Sequence, residues 1–301
     1  MTTILEVDVQ DLRVDVGEIE LQIREYERDG EAIIFLHFGG GNLMMWQGVV
    51  PNFQNDYRLI LVDLRGHGKS DKPKTGYHVD QMARDVVRIM EYLGLSRAHI
   101  VGSSLGAEVG LSMAANHPLK VVSLVCEGAL YSEYGPYGIW DGSEAEFEEN
   151  VTHQLAEACK RSHPVFRSND ELLAAKRQDY EKYGWWNKNF KALIEYDSHE
   201  ISEGAFTYSS WPNWAMEEYL EHYYETRFED YYKQVKCPVL MLPGEEELLN
   251  ERINIAMEGL SELLPEVKIE KIPGWVHPYG WLLNPEGVSK VVSEFLIEVQ
   301  D

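Results

Sequence analysis

The chain has 301 residues, 44% hydrophobic and 11% aromatic, enough apolar surface for one large core or a core with a modest second module, and not the composition of a disordered chain. Its 27 Lys and Arg against 51 Asp and Glu leave a formal charge of −24, which repels nucleic-acid phosphates and anionic membranes and argues against both as partners. No apolar run reaches the ~18 residues of a membrane span, and Met1-Thr2-Thr3-Ile4-Leu5-Glu6 lacks a basic region followed by an apolar stretch, so a soluble cytoplasmic protein is expected, monomeric or homodimeric.

Residues 11–27 alternate polar and apolar around Gly17, which predicts an antiparallel hairpin. Continuous apolar runs follow at Ile33-Ile34-Phe35-Leu36, Leu59-Ile60-Leu61-Val62, His99-Ile100-Val101, Val121 to Val125 and Val239-Leu240-Met241-Leu242, as strands buried on both faces require. Between and after them, Met82, Val86, Ile89 and Leu93, then Val288, Val291 and Phe295, recur at helical spacing. Strands alternating with helices predict an α/β fold: a mostly parallel sheet flanked by helices, with chemistry in the loops at the carboxyl ends of its strands. The rhythm breaks near residue 131 and resumes near 235, so residues 1–130 and 235–301 are expected to form the core domain and 131–234 a mainly helical inserted cap. Cys126, Cys159 and Cys237 are odd in number and widely spaced, which argues against a disulfide framework or zinc site and for buried small side chains.

Gly102-Ser103-Ser104-Leu105-Gly106 is a G-x-S-x-G motif between the run at 97–102 and a helical stretch bearing Leu105, Val109 and Met113. The glycines allow a sharp turn, which would project Ser104 at the strand end beside a helix N-terminus. A helix-capping role for Ser104 competes with the nucleophile reading; Ser103 is the rival serine but lacks the flanking glycine spacing.

The order of these motifs resembles the α/β-hydrolase superfamily over residues 30–130 and 235–300. The resemblance implies a serine hydrolase with Ser104 as nucleophile. It implies that the loop His37-Phe38-Gly39-Gly40-Gly41 supplies an oxyanion-hole amide beside that of Leu105. Phe38 stands where such loops usually carry glycine, so the amide is that of Gly39 or of Phe38. Asp63-Leu64-Arg65-Gly66-His67-Gly68-Lys69-Ser70 matches a loop that is mainly architectural in the family, which makes His67 a poor catalytic choice. The family keeps its base where His277 lies, between the last strand and the last helix, and an imidazole can take and return a proton near neutral pH. For the acid, the family's spacing after Val239 to Leu242 selects Glu247 within Gly244-Glu245-Glu246-Glu247, with Glu127 at the end of the earlier strand as competitor. A serine in the nucleophile slot argues against the dehalogenases and epoxide hydrolases of this fold, which use aspartate there.

The expected reaction is hydrolysis of a small-molecule carboxylic ester, or a related acyl bond, through an acyl-enzyme on Ser104, with no metal or organic cofactor. An aminopeptidase using cap carboxylates such as Glu144 to Glu149, a carbon–carbon bond hydrolase, an acyltransferase and a non-enzymatic small-molecule receptor are the alternatives. Phe38, Trp46 and Trp140 are candidate pocket walls, against the plainer reading that such aromatics pack in the cores.

Overall fold

The alternating N-terminal stretch forms the expected hairpin: β1 (Asp8–Asp15) pairs antiparallel with β2 (Glu20–Glu27). The computed structural model describes residues 8–128, 130–158, 160, 164–208 and 211–300, so Cys159 and the first residues of the chain lie outside it. The apolar runs become β3 (Ala32–Leu36), β4 (Arg58–Val62), β5 (Ala98–Ser103), β6 (Val121–Glu127) and β9 (Val239–Leu242), and a short β10 (Val267–Ile269) completes the sheet. Its eight strands run in the order β1-β2-β4-β3-β5-β6-β9-β10, parallel from β4 to β10. Every residue of β3, β5 and β9 is buried, as strands covered on both faces must be.

From β3 the chain steps to β4 on one side and returns to β5 on the other. At such a reversal the loops leaving two adjacent strands diverge and open a crevice at their carboxyl ends. The segment after β3 and the turn after β5 meet there.

One face of the sheet is covered by α2 (Val79–Tyr92) and α3 (Leu105–Asn116), the other by α1 (Val50–Phe53), a 3-10 turn at Leu43–Gly48 and α12 (Pro285–Gln300). α2 turns Val79, Met82, Val86 and Ile89 inward, and its first turn is capped by His78, whose ring accepts from Asp80 N–H. The loop after β4 is pinned to α2 by a fully buried pair: Arg65 Nε lies 2.7 Å and Nη2 2.9 Å from the two carboxylate oxygens of Asp85. Asp85→Ala would strand the buried guanidinium, and a loss of about 3–5 kcal/mol is expected in urea unfolding. A loss below about 1 kcal/mol would show that water replaces the carboxylate.

Between β6 and β9 lie α4 (Glu144–Ala158), α5 (Asn169–Glu181), α6 (Lys188–Asp197), a hairpin of β7 (Ser198–Ser202) and β8 (Ala205–Tyr208), α7 (Asn213–Glu225) and α8 (Phe228–Tyr232). Side-chain caps start three of these helices: Ser143 accepts from Glu146 N–H, Ser168 from Glu171 N–H, and Asn187 from Asn189 and Phe190 N–H. The hairpin departs from the expected helical character of this stretch. After β9 come α9 (Glu245–Leu248), α10 (Glu251–Ser261) and, beyond β10, α11 (Gly280–Leu283). No described helix is long and apolar enough to cross a membrane.

Candidate active site

Ser104 sits between β5 and α3 with φ 49° and ψ −117°, a left-handed backbone that a side-chain-bearing residue adopts only under constraint. The constraint is close packing. A Cβ on Gly106 would fall 2.0 Å from Leu36 O, and one on Gly102 would fall 2.4 Å from Gly106 O, so both flanking glycines are needed for α3 to press against β3 and β5. Ser104 N–H donates to Glu127 O at 2.9 Å, while Ser104 O accepts from Ala107 and Glu108 N–H. The serine side chain caps no helix amide, which removes the capping alternative.

His277 lies between β10 and α11, its N–H donating to Glu246 Oε1 at 2.9 Å. Its Nδ1 is 2.8 Å from Glu127 Oε1. Glu127, the last residue of β6, is fully buried, and its other oxygen accepts from the Ser103 hydroxyl at 2.6 Å. Burial alone would lower the His277 imidazole. The Glu127 carboxylate outweighs burial by charge and hydrogen bond, helped by Glu247 and Glu246, and pushes the imidazole up to about 9.

The expected acid, Glu247, is therefore not the residue bonded to the histidine ring. Its Oε2 accepts from Gly244 N–H at 2.6 Å, folding the carboxylate back onto the start of α9. Glu247 still lines the cavity that holds Ser104 and His277, and acts on the imidazole through space. Ser103, the rival serine, holds Glu127 in place instead.

Leu105 N–H opens α3, where a first-turn amide has no acceptor within the helix. Gly39 lies under the Trp211 ring so closely that a Cβ would come within 2.4 Å of it. The segment bearing Gly39 is fixed through His37, whose Nε2 accepts from Leu64 N–H at 3.0 Å while Nδ1–H donates to Phe38 O at 2.8 Å. Burial pushes the His37 imidazole down to about 4, so it stays neutral with that tautomer. His67 is likewise buried and held below its usual range, with Nδ1 2.9 Å from Arg65 O. Asp63 accepts from Leu43 and Lys69 N–H and from the Tyr196 hydroxyl. These are architectural roles.

The cavity at Ser104 and His277, about 70 Å³, is walled by Gly128, Leu130, Tyr131, Tyr223 and Phe228 and contains Glu108. None of the three aromatics expected in its wall is there. Trp46 is fully buried between Phe35 and Trp281, Phe38 packs edge-on to Tyr279 in the same core, and Trp140 packs against Phe147 while its Nε1–H donates to Ser143 O. Glu144 and Glu148, from the stretch considered for amine recognition, line a separate groove with Phe147. Among the described residues no group of His, Cys, Asp or Glu could hold a metal ion.

Glu108 was missed in the sequence. It stands four residues after Ser104, in the first turn of α3, a spacing that could have marked it. The Tyr219 hydroxyl lies 3.0 and 2.9 Å from its two oxygens, and burial pushes its carboxyl up to about 7 against the pull of that bond.

Residues 31–279 match the family model described as alpha/beta hydrolase fold. The chain belongs to the α/β-hydrolase fold family. Like other members found to be similar to it, it is a hydrolase. It is 27% identical over 285 residues, 94% of each chain, to 2-(acetamidomethylene)succinate hydrolase of Mesorhizobium japonicum. It is also 38% identical over 116 residues, 37% of this chain and 38% of the other, to fluoroacetate dehalogenase of a Burkholderia species. The crystal structure of E-2-(acetamidomethylene)succinate hydrolase superposes with a TM-score of 0.76 at 25% identity, covering 96% of this chain and 99% of that one. A thermophilic esterase from Thermogutta terrifontis shares the fold at a TM-score of 0.68 and 18% identity, with 97% and 100% covered.

Proposed function

We propose that this hydrolase cleaves a small-molecule carboxylic ester or related acyl bond through an acyl-enzyme on Ser104. The observation that carries the reading is the bond from buried Glu127 to His277 Nδ1, which leaves Nε2 as the free ring nitrogen on a side chain that shares a cavity with Ser104. Ser104 Oγ bonds to the carbonyl carbon as its proton passes to His277, and the carbonyl oxygen becomes an oxyanion facing the amides of Leu105 and Gly39. Collapse re-forms the carbonyl and breaks the bond to the leaving group, which takes the proton from His277. Water then loses a proton to His277, attacks the acyl carbon, and releases the acid as the proton returns to Ser104. Every proton taken is given back, so the cycle needs no redox partner.

Glu127 holds the ring by Nδ1 and offsets the imidazolium charge formed twice per turnover. Residues 131–234 act as a cap, since Tyr131, Tyr223 and Phe228 from that stretch help close the cavity. At about 70 Å³ the cavity fits a short acyl group, given that a water takes about 30 Å³ of liquid.

The test is hydrolysis of 4-nitrophenyl acetate and butyrate, with intact mass after a fluorophosphonate probe. Sustained turnover, a single adduct and its mapping to Ser104 support the reading. Stoichiometric labelling with only one turnover would favour a ligand receptor built on the same shell, and neither turnover nor adduct would overturn the nucleophile.

A further inference from the structure

The Glu108 carboxyl group is fully enclosed beside the nucleophile, and its surroundings are short of donors. An ionised carboxylate offers about four acceptor positions, whereas Tyr219 brings one hydroxyl proton to share between two oxygens. The charged groups that act on Glu108 are His277, which favours its ionised form, and Glu133, which opposes it. Glu133 is itself held by Tyr223, whose hydroxyl donates at 2.9 Å. No lysine or arginine is among the described residues lining the cavity, whose wall adds the carboxylate of Glu247 and the rings of Tyr131, Tyr223 and Phe228.

A buried carboxylate with so few donors is costly unless it takes up a proton or a cation completes it. Aromatic rings around it supply the electron-rich faces that attract an ammonium group. A substrate ammonium would bring both the charge and the N–H donors that Glu108 lacks, while a substrate carboxylate would be repelled.

Position fixes where on the substrate that group sits. Ser104 and Glu108 line the same cavity of about 70 Å³ and are joined by the bond from Glu108 N–H to Ser104 O, so a group bonded to Glu108 while its carbonyl is at Ser104 lies close to the carbonyl carbon. The acyl half stays attached to Ser104, and the cavity at the serine is where its first substituents lie. We propose that Glu108 is a specificity-determining residue that selects acyl groups bearing an ammonium on the carbon next to the scissile carbonyl. This rests on the acyl-enzyme reading above.

The experiment compares benzyl esters of alanine, isobutyrate and methylmalonate, whose acyl groups differ mainly in an ammonium, methyl or carboxylate at one position. Released benzyl alcohol is measured chromatographically with wild type and Glu108→Gln. In wild type near pH 7 the kcat/KM ratio of alanine to isobutyrate is expected to be at least about tenfold, with methylmalonate below both. In Glu108→Gln that ratio should fall to within about twofold of unity, because the amide keeps the shape and loses the charge. A purely structural role for Glu108 would lower both esters together and leave the ratio unchanged, and that result overturns the proposal. A wild-type ratio near one overturns it without the variant, whether or not Glu108→Gln folds. If Ser104 takes the fluorophosphonate and isobutyrate turns over while alanine shows no advantage, the specificity claim fails and the acyl-enzyme stands. Absence of both label and turnover removes the two together.

Discussion

Ser104→Ala is expected to lower kcat for 4-nitrophenyl butyrate by about 10⁴–10⁶-fold and to abolish the fluorophosphonate adduct, because no other serine, threonine or cysteine is among the described residues lining the cavity. The variant should keep its fold. The Ser104 side chain caps no helix amide, and its constrained backbone is held by main-chain bonds to Glu127, Ala107 and Glu108 that alanine makes equally well. Melting by circular dichroism should therefore coincide with wild type while activity is lost, separating chemistry from stability. Residual hydrolysis above the uncatalysed rate would measure what the amides of Leu105 and Gly39 and the cavity supply without a nucleophile. Unchanged turnover would place the reaction elsewhere.

The strands and the turn at Ser104 were legible because their signals are local and strong. Strands covered on both faces must be apolar throughout, and only glycine fits at 102 and 106 once α3 lies against β3 and β5. His277 was legible because it is a histidine between the last strand and the last helix. The glutamate bonded to its ring was not, because the choice between two glutamates depends on where β6 stops and on a contest for hydrogen bonds. β6 runs two residues beyond its apolar stretch, which carries Glu127 to the level of Ser103, while Gly244 N–H draws the Glu247 carboxylate back onto its own helix. Trp46 was misplaced for a related reason. An aromatic just after the segment bearing Gly39 can turn toward substrate or core, and packing against Trp281 from a distant helix decides it. The hairpin at β7 and β8 has little apolar alternation to announce it, since Ser198–Ser202 is largely exposed.

The contest between the two glutamates predicts a sharp asymmetry between isosteric variants. Glu127→Gln should lower kcat/KM by roughly 10³–10⁴-fold, since an amide can present its N–H to Nδ1 and favour the wrong tautomer, and cannot offset the imidazolium. Glu247→Gln should cost less than about tenfold, because its remaining carbonyl oxygen can still accept from Gly244 N–H and the lost charge acts on the imidazole through space. The pH profile distinguishes the two more finely. His277 must be neutral to act as base, and with its imidazole pushed up to about 9 the wild-type kcat/KM should climb as pH rises from 6 toward 9. Removing the Glu127 charge removes the main influence holding the proton, so the rise in Glu127→Gln should shift down toward the ordinary histidine range near about 6.5, reaching a much lower plateau earlier. Glu247→Gln should shift the same rise downward only slightly. If Glu247→Gln instead gave the large loss and the large shift, the bond seen between Glu127 and His277 would belong to a resting arrangement, and the ring would have to turn to Glu247 during turnover.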